Sequence, residues 1–490
     1  MASYLTFDIG TTALKTALIG DDGRLLAIHT AEYTADAPRP GWAEMDAEAY
    51  WRAAVEGTRA VFARSQTAPA DLAGIGFSSQ GETFVALDRT GRPLHPAIVW
   101  LDDRARDITE RWQAEWLSRE AFRRSSGYPW LACELTVFKL AWLAENVPPA
   151  HRAWKFLFLP DYITYRLTGE CVTDYVIALF SGMLDLQTGN WHPGLMAAAG
   201  VTAEQLPAVV APGTVTGRVT AEAAAELGIA PGVPVCAGAN DQIAGAVGAG
   251  NVRPGVVTET TGTALAVVAT TATLLDDPSF CVGRHAVPGA YYALSFAVTS
   301  AIILKWFRDL CGAGESYEEF LRGVESVPPG CDGLTVLPHF SGIGLPRLNP
   351  HARGAFVGLT LGHTRAHLTR AIMESCACLL QEYLEPLARH IPAITVVRSL
   401  GGAARSDLWL QMKSDMLGLS VERPACSDAA SLGAAMLVAA GVGQFRSVVE
   451  ASDAWYRAAD TFEPDDRSHA VYREVYSRYR ELSERLYPPV

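Results

Sequence analysis

A carboxylate, hydroxyls and an ammonium crowd into one short stretch near the start of this chain: Asp8-Ile9-Gly10-Thr11-Thr12-Ala13-Leu14-Lys15, directly after the apolar run Tyr4-Leu5-Thr6-Phe7. A strand ending in Asp-x-Gly-Thr-Thr offers an acid, close backbone amides, hydroxyls and a cation, the groups that hold a metal-bound triphosphate. In this reading Thr12 and Lys15 reach the phosphates from one side. Asp8 holds Mg²⁺ through water, because Mg²⁺ gives up its waters reluctantly. A hairpin of the same design lies about half a chain downstream, Val256-Val257-Thr258-Glu259-Thr260-Thr261-Gly262-Thr263-Ala264-Leu265-Ala266. Gly262 and Thr263 would face the phosphates from the other side. Either hairpin alone is better read as a tight turn; the duplication turns the argument toward ATP.

Other residues gather around that pair. Asp241 ends the buried-looking strand Pro234-Val235-Cys236-Ala237-Gly238-Ala239-Asn240 and opens a helix. The helix N-terminus favours its ionised form, and an ionised acid can take the proton of an attacking hydroxyl. The competing reading is a helix cap, a duty Asn240 can perform instead. Ser78-Ser79-Gln80-Gly81-Glu82-Thr83, between two strands, collects an amide and a carboxylate suited to polyhydroxylated ligands. Trp100-Leu101-Asp102-Asp103-Arg104 adds an aromatic face and further acceptors, with Trp130 and Asp174 as more distant candidates. Gly401-Gly402-Ala403-Ala404-Arg405-Ser406 follows a strand, and its small residues let adenine lie against backbone. Asp428 reads as a helix cap. His363 and His367 share a helix face but lack a third ligand, so no protein metal cage is expected. No P-loop motif occurs, and no G-x-G-x-x-G follows a strand.

The 490-residue chain is long enough for two or three domains. Its net charge of −13 argues against nucleic acid and anionic membrane surfaces as partners. The nine cysteines have no paired spacing, which points to reduced thiols and a cytoplasmic setting. No signal peptide and no membrane-length apolar run is read; the most apolar stretch, near 256–270, is broken by Glu259.

The elements that must carry these residues come in a repeated order. Strands are expected over 3–9, 13–19 and 24–30, a helix over 46–64, and strands over 72–78 and 83–88. Helices follow over 103–145, then strand 233–238 and helix 241–248. After the connector Gly248–Gly255 the order restarts. Strands are expected over 256–260 and 264–269, helices over 297–311 and 364–390, strand 394–399 with a helix beyond it, and a C-terminal helix over 467–487. This is not the strict βαβ alternation of a dinucleotide fold. It is the order of two ribonuclease-H-like (actin-like) α/β domains with a cleft between them, divided as 1–247 for acceptor and base and 248–490 for nucleotide.

Taken in order, the motifs resemble the FGGY family of carbohydrate kinases, within it the xylulokinase-like branch, from about residue 3 to 445. The resemblance rests on Asp8-Ile-Gly-Thr-Thr, Ser79-Gln80-Gly81-Glu82, Trp100-x-Asp102-x-Arg104 and Leu167-Thr168-Gly169-Glu170. It continues through Ala239-x-Asp241, Thr261-Gly262-Thr263, Gly354-Ala355-Phe356-Val357-Gly358-Leu359, Gly401-Gly402-Ala403-x-x-Ser406 and Gly433-Ala434-Ala435. It implies ATP- and Mg²⁺-dependent phosphorylation of a hydroxyl on a small sugar, such as xylulose or a related (deoxy)ketose, and a possible homodimer. Asp241 matches the family's general base and Asp8 the acid near Mg²⁺. Gln80, Gly81, Glu82, Trp100, Asp102 and Gln242 fall on the acceptor side. Gly262, Thr263, Gly402 and Ser406 match nucleotide contacts. Ala301 and Lys305 stand where the family usually has an adenine-side glycine and glutamine. Xylulokinases usually carry Met-His where this chain has Gly81-Glu82, and glycerol kinases carry Arg-Glu. Three alternatives therefore stay open: a glycerol- or erythritol-type polyol kinase, a non-enzymatic actin-like ATPase module, and a phosphohydrolase on the same fold.

Overall fold

The computed structural model describes residues 2–312, 314–391 and 393–488. Its first sheet grows from β1 (Ser3–Ile9), a central strand buried along its whole length, with Leu5, Phe7 and Ile9 on one face and Tyr4, Thr6 and Asp8 on the other. A tight turn folds β2 (Ala13–Gly20) back antiparallel, setting Lys15 opposite Asp8, and β3 (Leu25–Glu32) pairs with β2. α1 (Ala47–Arg64) covers these strands, started by Asp46, whose side chain accepts from the Glu48 N–H at 3.1 Å. β4 (Leu72–Ser79) then lies parallel to β1 with Ser78 beside Asp8. β5 (Pro234–Cys236) follows in the order β3-β2-β1-β4-β5, with Val215–Arg218 at the edge. The expected strand 233–238 is interrupted. It resumes at Ala239–Asn240, which pairs with Ser78 and Ser79. The break falls at Gly238, where a Cβ would sit 2.2 Å from the Phe77 carbonyl. α2 (Asp241–Gly248) begins at once. The C-terminal ends of β1, β4 and Ala239–Asn240 thus share one edge, and Asp8, Gln80 and Asp241 are carried there by register alone.

The second sheet repeats the scheme. β6 (Val256–Thr261) and β7 (Leu265–Thr271) form the hairpin, and β8 (Tyr291–Ala297) completes the three-stranded meander. β9 (Val396–Leu400) runs parallel to β6 with Ser399 beside Glu259. α3 (Asp407–Leu417), β10 (Ser420–Pro424), α4 (Ala429–Gly441) and β11 (Ala458–Phe462) follow. The strand order β8-β7-β6-β9-β10-β11 matches that of the first sheet, with β6, β7 and β8 in the places of β1, β2 and β3, and one further strand, Cys281–Arg284, lies beyond β8.

Two compact units result. One comprises Met1–Val252, Val282–Tyr292 and Asp428–Tyr456; the other comprises Arg253–Cys281, Ala293–Ser427 and Arg457–Val490. A single boundary at 247/248 omits the return of α4 to the first unit. The cause is close packing. A Cβ on Gly433 would lie 1.9 Å from the Ala244 carbonyl, and one on Gly248 would lie 1.9 Å from the Ala429 carbonyl, so α2 and α4 cross at glycines.

Two further expected elements differ in extent. The helix expected over 297–311 is Ile302–Cys311, because β8 ends only at Ala297. The expected strand 83–88 is Phe84–Leu87, and it joins a separate four-stranded sheet with Glu44–Met45, Ala97–Ile98 and Lys155–Phe158. On the C-terminal helix the buried face is Tyr472, Val475, Tyr479 and Ser483, while Val471 and Leu486 are exposed. Among the described residues no helix is long and apolar enough to cross a membrane.

Candidate active site

In the first unit Asp8 is nearly buried, and each of its oxygens has a partner. Ser78 Oγ donates to Oδ1 at 2.8 Å, and Lys15 Nζ lies 3.3 Å from Oδ2. Lys15 also reaches Asp428 Oδ2 at 3.0 Å, while the other Asp428 oxygen caps α4 through the Ser431 N–H. The cap read from the sequence is therefore present and also serves as an anchor. Lys15, expected to touch phosphate, is held between two carboxylates. Burial raises the Asp8 carboxyl above its ordinary range, and the Lys15 charge pulls it back.

Asp241 is the first residue of α2, and Asn240 takes the cap by accepting from the Gln242 N–H at 3.0 Å. The carboxylate is left with the Gln242 side-chain amide at 3.4 Å. Sequence reasoning expects the helix terminus to favour the ionised form, but desolvation wins. Burial first, then the Asp8 charge, pushes Asp241 up to about 7. A carboxylate poised near neutrality can both accept and release a proton.

The loop after β4 closes over the turn between β1 and β2. Gln80 Nε2 donates to the Gly10 carbonyl at 2.9 Å, and Trp100 Nε1 donates to Thr11 Oγ1 at 2.8 Å. Gly81 has no room for a side chain: a Cβ would meet Phe180 Cβ at 2.9 Å. Glu82 follows with φ of 57°, a left-handed conformation that a glutamate adopts only when its surroundings force it. Its carboxylate accepts from Tyr128 Oη at 3.3 Å, and its backbone carbonyl from Thr136 Oγ1 at 2.8 Å. Lys139, fully buried, donates to the Val99 carbonyl at 2.8 Å and the Trp100 carbonyl at 3.1 Å. Burial raises Glu82 and lowers Lys139, each charge opposing the other's shift, and Asp241 adds to the rise in Glu82. Tyr128 and Lys139 were not singled out from the sequence. A lysine on the apolar helix Thr136–Asn146 was the available signal.

Asp102 requires correction as an acceptor-side residue. It is fully buried, and both oxygens are taken by Arg104 Nε and Nη2 at 2.7 Å and by the Ala43 N–H at 2.6 Å. Arg104 in turn stacks over Trp42 at 3.9 Å. The acid organises this buried cluster and presents no oxygen to a ligand. Asp174 caps the helix Tyr175–Phe180, and Trp130 packs edge-on against Tyr128.

In the second unit Gly262 and Gly402 share an unusual property. A Cβ on either would meet nothing within 4 Å, and neither has a positive φ. Fold and packing therefore do not require glycine there, and the bare backbone at both positions is open to close approach. Thr263 is exposed beside Gly262, and its carbonyl accepts from the Ser300 N–H at 2.9 Å. Thr12, in the first unit, is likewise exposed. Ser406 caps α3 through the Trp409 N–H at 3.3 Å. Ala301 lies at the start of the helix Ile302–Cys311, and Lys305 on that helix is exposed and ion-paired with Asp309. Lys305 is thus engaged in a surface pair one turn along its own helix. Among the described residues no three His, Cys, Asp or Glu side chains converge to hold a metal, His363 and His367 included.

Two ribonuclease-H-like units of matching topology, one with converging carboxylates and the other with an unobstructed glycine on its hairpin and another after β9, define the actin-like phosphotransferase class. Models of the FGGY family of carbohydrate kinases match residues 3–248 (N-terminal domain) and 257–442 (C-terminal domain). The chain belongs to the FGGY family and is a carbohydrate kinase. It is 30% identical to a xylulose kinase of Lactococcus lactis, over 98% of this chain and 96% of that one. It is also 30% identical to a glycerol kinase of Janthinobacterium sp., over 96% and 97%. The solved xylulose kinase of Rhodospirillum rubrum superposes with a TM-score of 0.91 at 31% identity, covering 99% of both chains.

Proposed function

We propose that this kinase transfers the terminal phosphoryl group of ATP to a hydroxyl of a small neutral sugar, a ketopentose such as xylulose or a related ketose, with Asp241 as general base. The observation that carries the base assignment is the division of labour at the start of α2: Asn240 caps the helix, and Asp241 is left with an amide neighbour and a carboxyl poised at about 7. As the acceptor oxygen bonds to phosphorus, the bond from phosphorus to the ADP oxygen breaks. The hydroxyl proton passes to the Asp241 carboxylate. Such a base contributes roughly 10²–10⁴-fold. Phosphoryl transfer otherwise depends on positioning and charge neutralisation.

Mg²⁺ arriving with the nucleotide would neutralise charge on the transferring group. The residues fit an ion held mainly by phosphate and water: one buried carboxylate, Asp8, oriented by Ser78, with no all-protein cage among the described residues. Gly262, Thr263 and Gly402 would let the nucleotide approach backbone, with Ser406 fixing the helix beyond. Gln80, Glu82, Trp100 and Gln242 would address the acceptor. The nine scattered cysteines, with no Cys-x-x-Cys spacing, suit a reducing cytoplasm.

Glu82 and Gln242 give specific support to a second reading, a glycerol- or erythritol-type polyol acceptor. ADP release measured across xylulose, ribulose, a deoxyketose, erythritol and glycerol distinguishes the two. Asp241→Asn should abolish transfer to the best acceptor while ADP still binds by calorimetry. Near-normal turnover in that variant would refute the base assignment.

A further inference from the structure

At the heart of the second unit lies a charge pair that no step above uses. Lys413 of α3 and Glu259 of β6 are both completely buried, with Nζ 2.5 Å from Oε1. The remaining ammonium protons have acceptors in Thr261 Oγ1 at 3.0 Å and Ser399 Oγ at 3.2 Å. Thr261 donates to Glu259 Oε2 at 2.5 Å, and Ser399 donates to Oε1. Every polar atom of the four side chains is satisfied without water.

The position of this network within the chain matters more than its strength. Glu259 and Thr261 point from the same face of β6, and the next residue is Gly262. Ser399 pairs with Glu259 across the parallel register, and β9 ends one residue later, just before Gly401-Gly402. The two turns touch, since a Cβ on Gly401 would lie 2.9 Å from the Thr261 carbonyl. Lys413 also lies 5.8 Å over the ring of Trp409, whose N–H is the one that Ser406 caps. One ammonium thus ties together the strand before the Gly262 hairpin, the strand before the Gly402 turn and the helix begun by Ser406. A buried ion pair is poor value as a source of stability, because apolar residues of similar volume often serve as well or better. Its directional bonds do fix distances that apolar contacts would leave free to slide.

We infer that Lys413, through Glu259, Thr261 and Ser399, is a positioning residue for the donor nucleotide: it sets the spacing of the two glycine turns against which ATP lies. This inference rests on the donor-site reading above. The test compares three sets of variants by steady-state kinetics on the best acceptor, ADP binding by calorimetry, and thermal unfolding. Lys413→Met combined with Glu259→Leu replaces the pair by apolar groups and avoids stranding a charge. Thr261→Val combined with Ser399→Ala keeps the pair and removes two of its tethers, so a folding failure in the first set leaves the second to decide. Gly402→Val and Gly262→Val occupy the proposed donor surface with the network intact.

The expected result is a folded protein in which KM for ATP and Kd for ADP rise about tenfold to a hundredfold, as small misplacements do, while KM for the acceptor stays within about twofold of the parent. A purely structural network would lower the melting temperature or the active fraction and leave both KM values alone. Normal ATP and ADP affinity in a folded network variant, with the glycine variants impaired, would overturn this inference alone. Normal affinity in the network and glycine variants alike would overturn the donor-site reading and this inference with it.

Discussion

Asp241 illustrates how one atom's neighbours decide a role. Its carboxyl is pushed up to about 7 by burial and by the charge of Asp8. The proposed base works only when deprotonated, so kcat/KM for the acceptor should rise with pH through about 7 and then level off. A pH–rate profile of the wild-type enzyme checks this, and a profile flat from pH 5 to 8 would contradict it. Asp174 carries a second pH signature, in stability. Burial raises its carboxyl from 3.8 to about 7 in the folded state, so the native protein binds the extra proton. That contribution is complete below about pH 4 and is lost as pH rises through 7. Asparagine caps a helix as well as aspartate does. Asp174→Asn should therefore keep the cap that accepts from the Val176 and Ile177 N–H groups. It should gain about 1 kcal/mol or more over wild type at pH 8, with little gain at pH 4, in urea titrations. At this scale the sequence was legible where a residue type is rare for its setting: an acid ending an apolar strand (Asp8), or an acid directly after a good cap (Asp241). It was illegible where a side chain's partner lies far along the chain. Glu259 was visible as an intrusion into an apolar stretch, yet nothing local joins it to Lys413, 154 residues away. Asp102 shows the reverse error, a polar residue in a suggestive motif whose whole hydrogen-bonding capacity is spent inside.

Elements position these residues through register and close packing, and glycine is where the two meet. Gly433→Ala and Gly248→Ala each place a methyl 1.9 Å from a backbone carbonyl of the facing helix. Each should cost about 1–3 kcal/mol or more, because backbone cannot yield as a side-chain tip can. Gly402→Ala, by contrast, meets nothing within 4 Å and should leave the unfolding midpoint unchanged. Chemical denaturation of the three variants tests the contrast. Meanders and parallel strands were largely readable from alternation and turn residues. The third strand of the second meander, Tyr291–Ala297, was not, because its mixed polar and aromatic residues run into a helix with no clear punctuation. The C-terminal helix was found. Tyr472 and Tyr479 are buried while Val471 faces water, so ring size outweighed aliphatic character.

For the whole molecule, duplication is the organising fact, and the two units differ in what they offer. The residues proposed for the acceptor include Glu82 and Asp241, and the charge of Asp8 acts on Asp241. The two lysines in that region are already committed, Lys15 to a pair of carboxylates and Lys139 to backbone carbonyls. A sugar acid would bring a further negative charge to a region whose two lysines are already engaged. Its kcat/KM should fall about 100-fold or more below that of the corresponding neutral sugar, since like-charge juxtaposition costs several kcal/mol. Gluconate and gulonate assayed beside neutral ketoses decide the point. Hydrogen exchange offers a complementary map. ADP should protect Thr261–Thr263 and Gly401–Ser406, and the acceptor should protect Gln80–Glu82 and the start of α2, because each ligand stabilises what it binds.

The interleaving of the chain between the units has a consequence for biosynthesis. Val252 closes the first long stretch of the first unit, but α4, which packs against α2, is made only at Ala429–Gly441. At roughly 5–20 residues per second the ribosome needs many seconds to cover that interval. Throughout it the nascent chain carries an unfinished flank, with Gly248 and the glycines of β4 bare of their partner. An open reading frame stopped at residue 252 should accordingly yield insoluble product, and supplying residues 428–456 as a separate peptide should recover part of it.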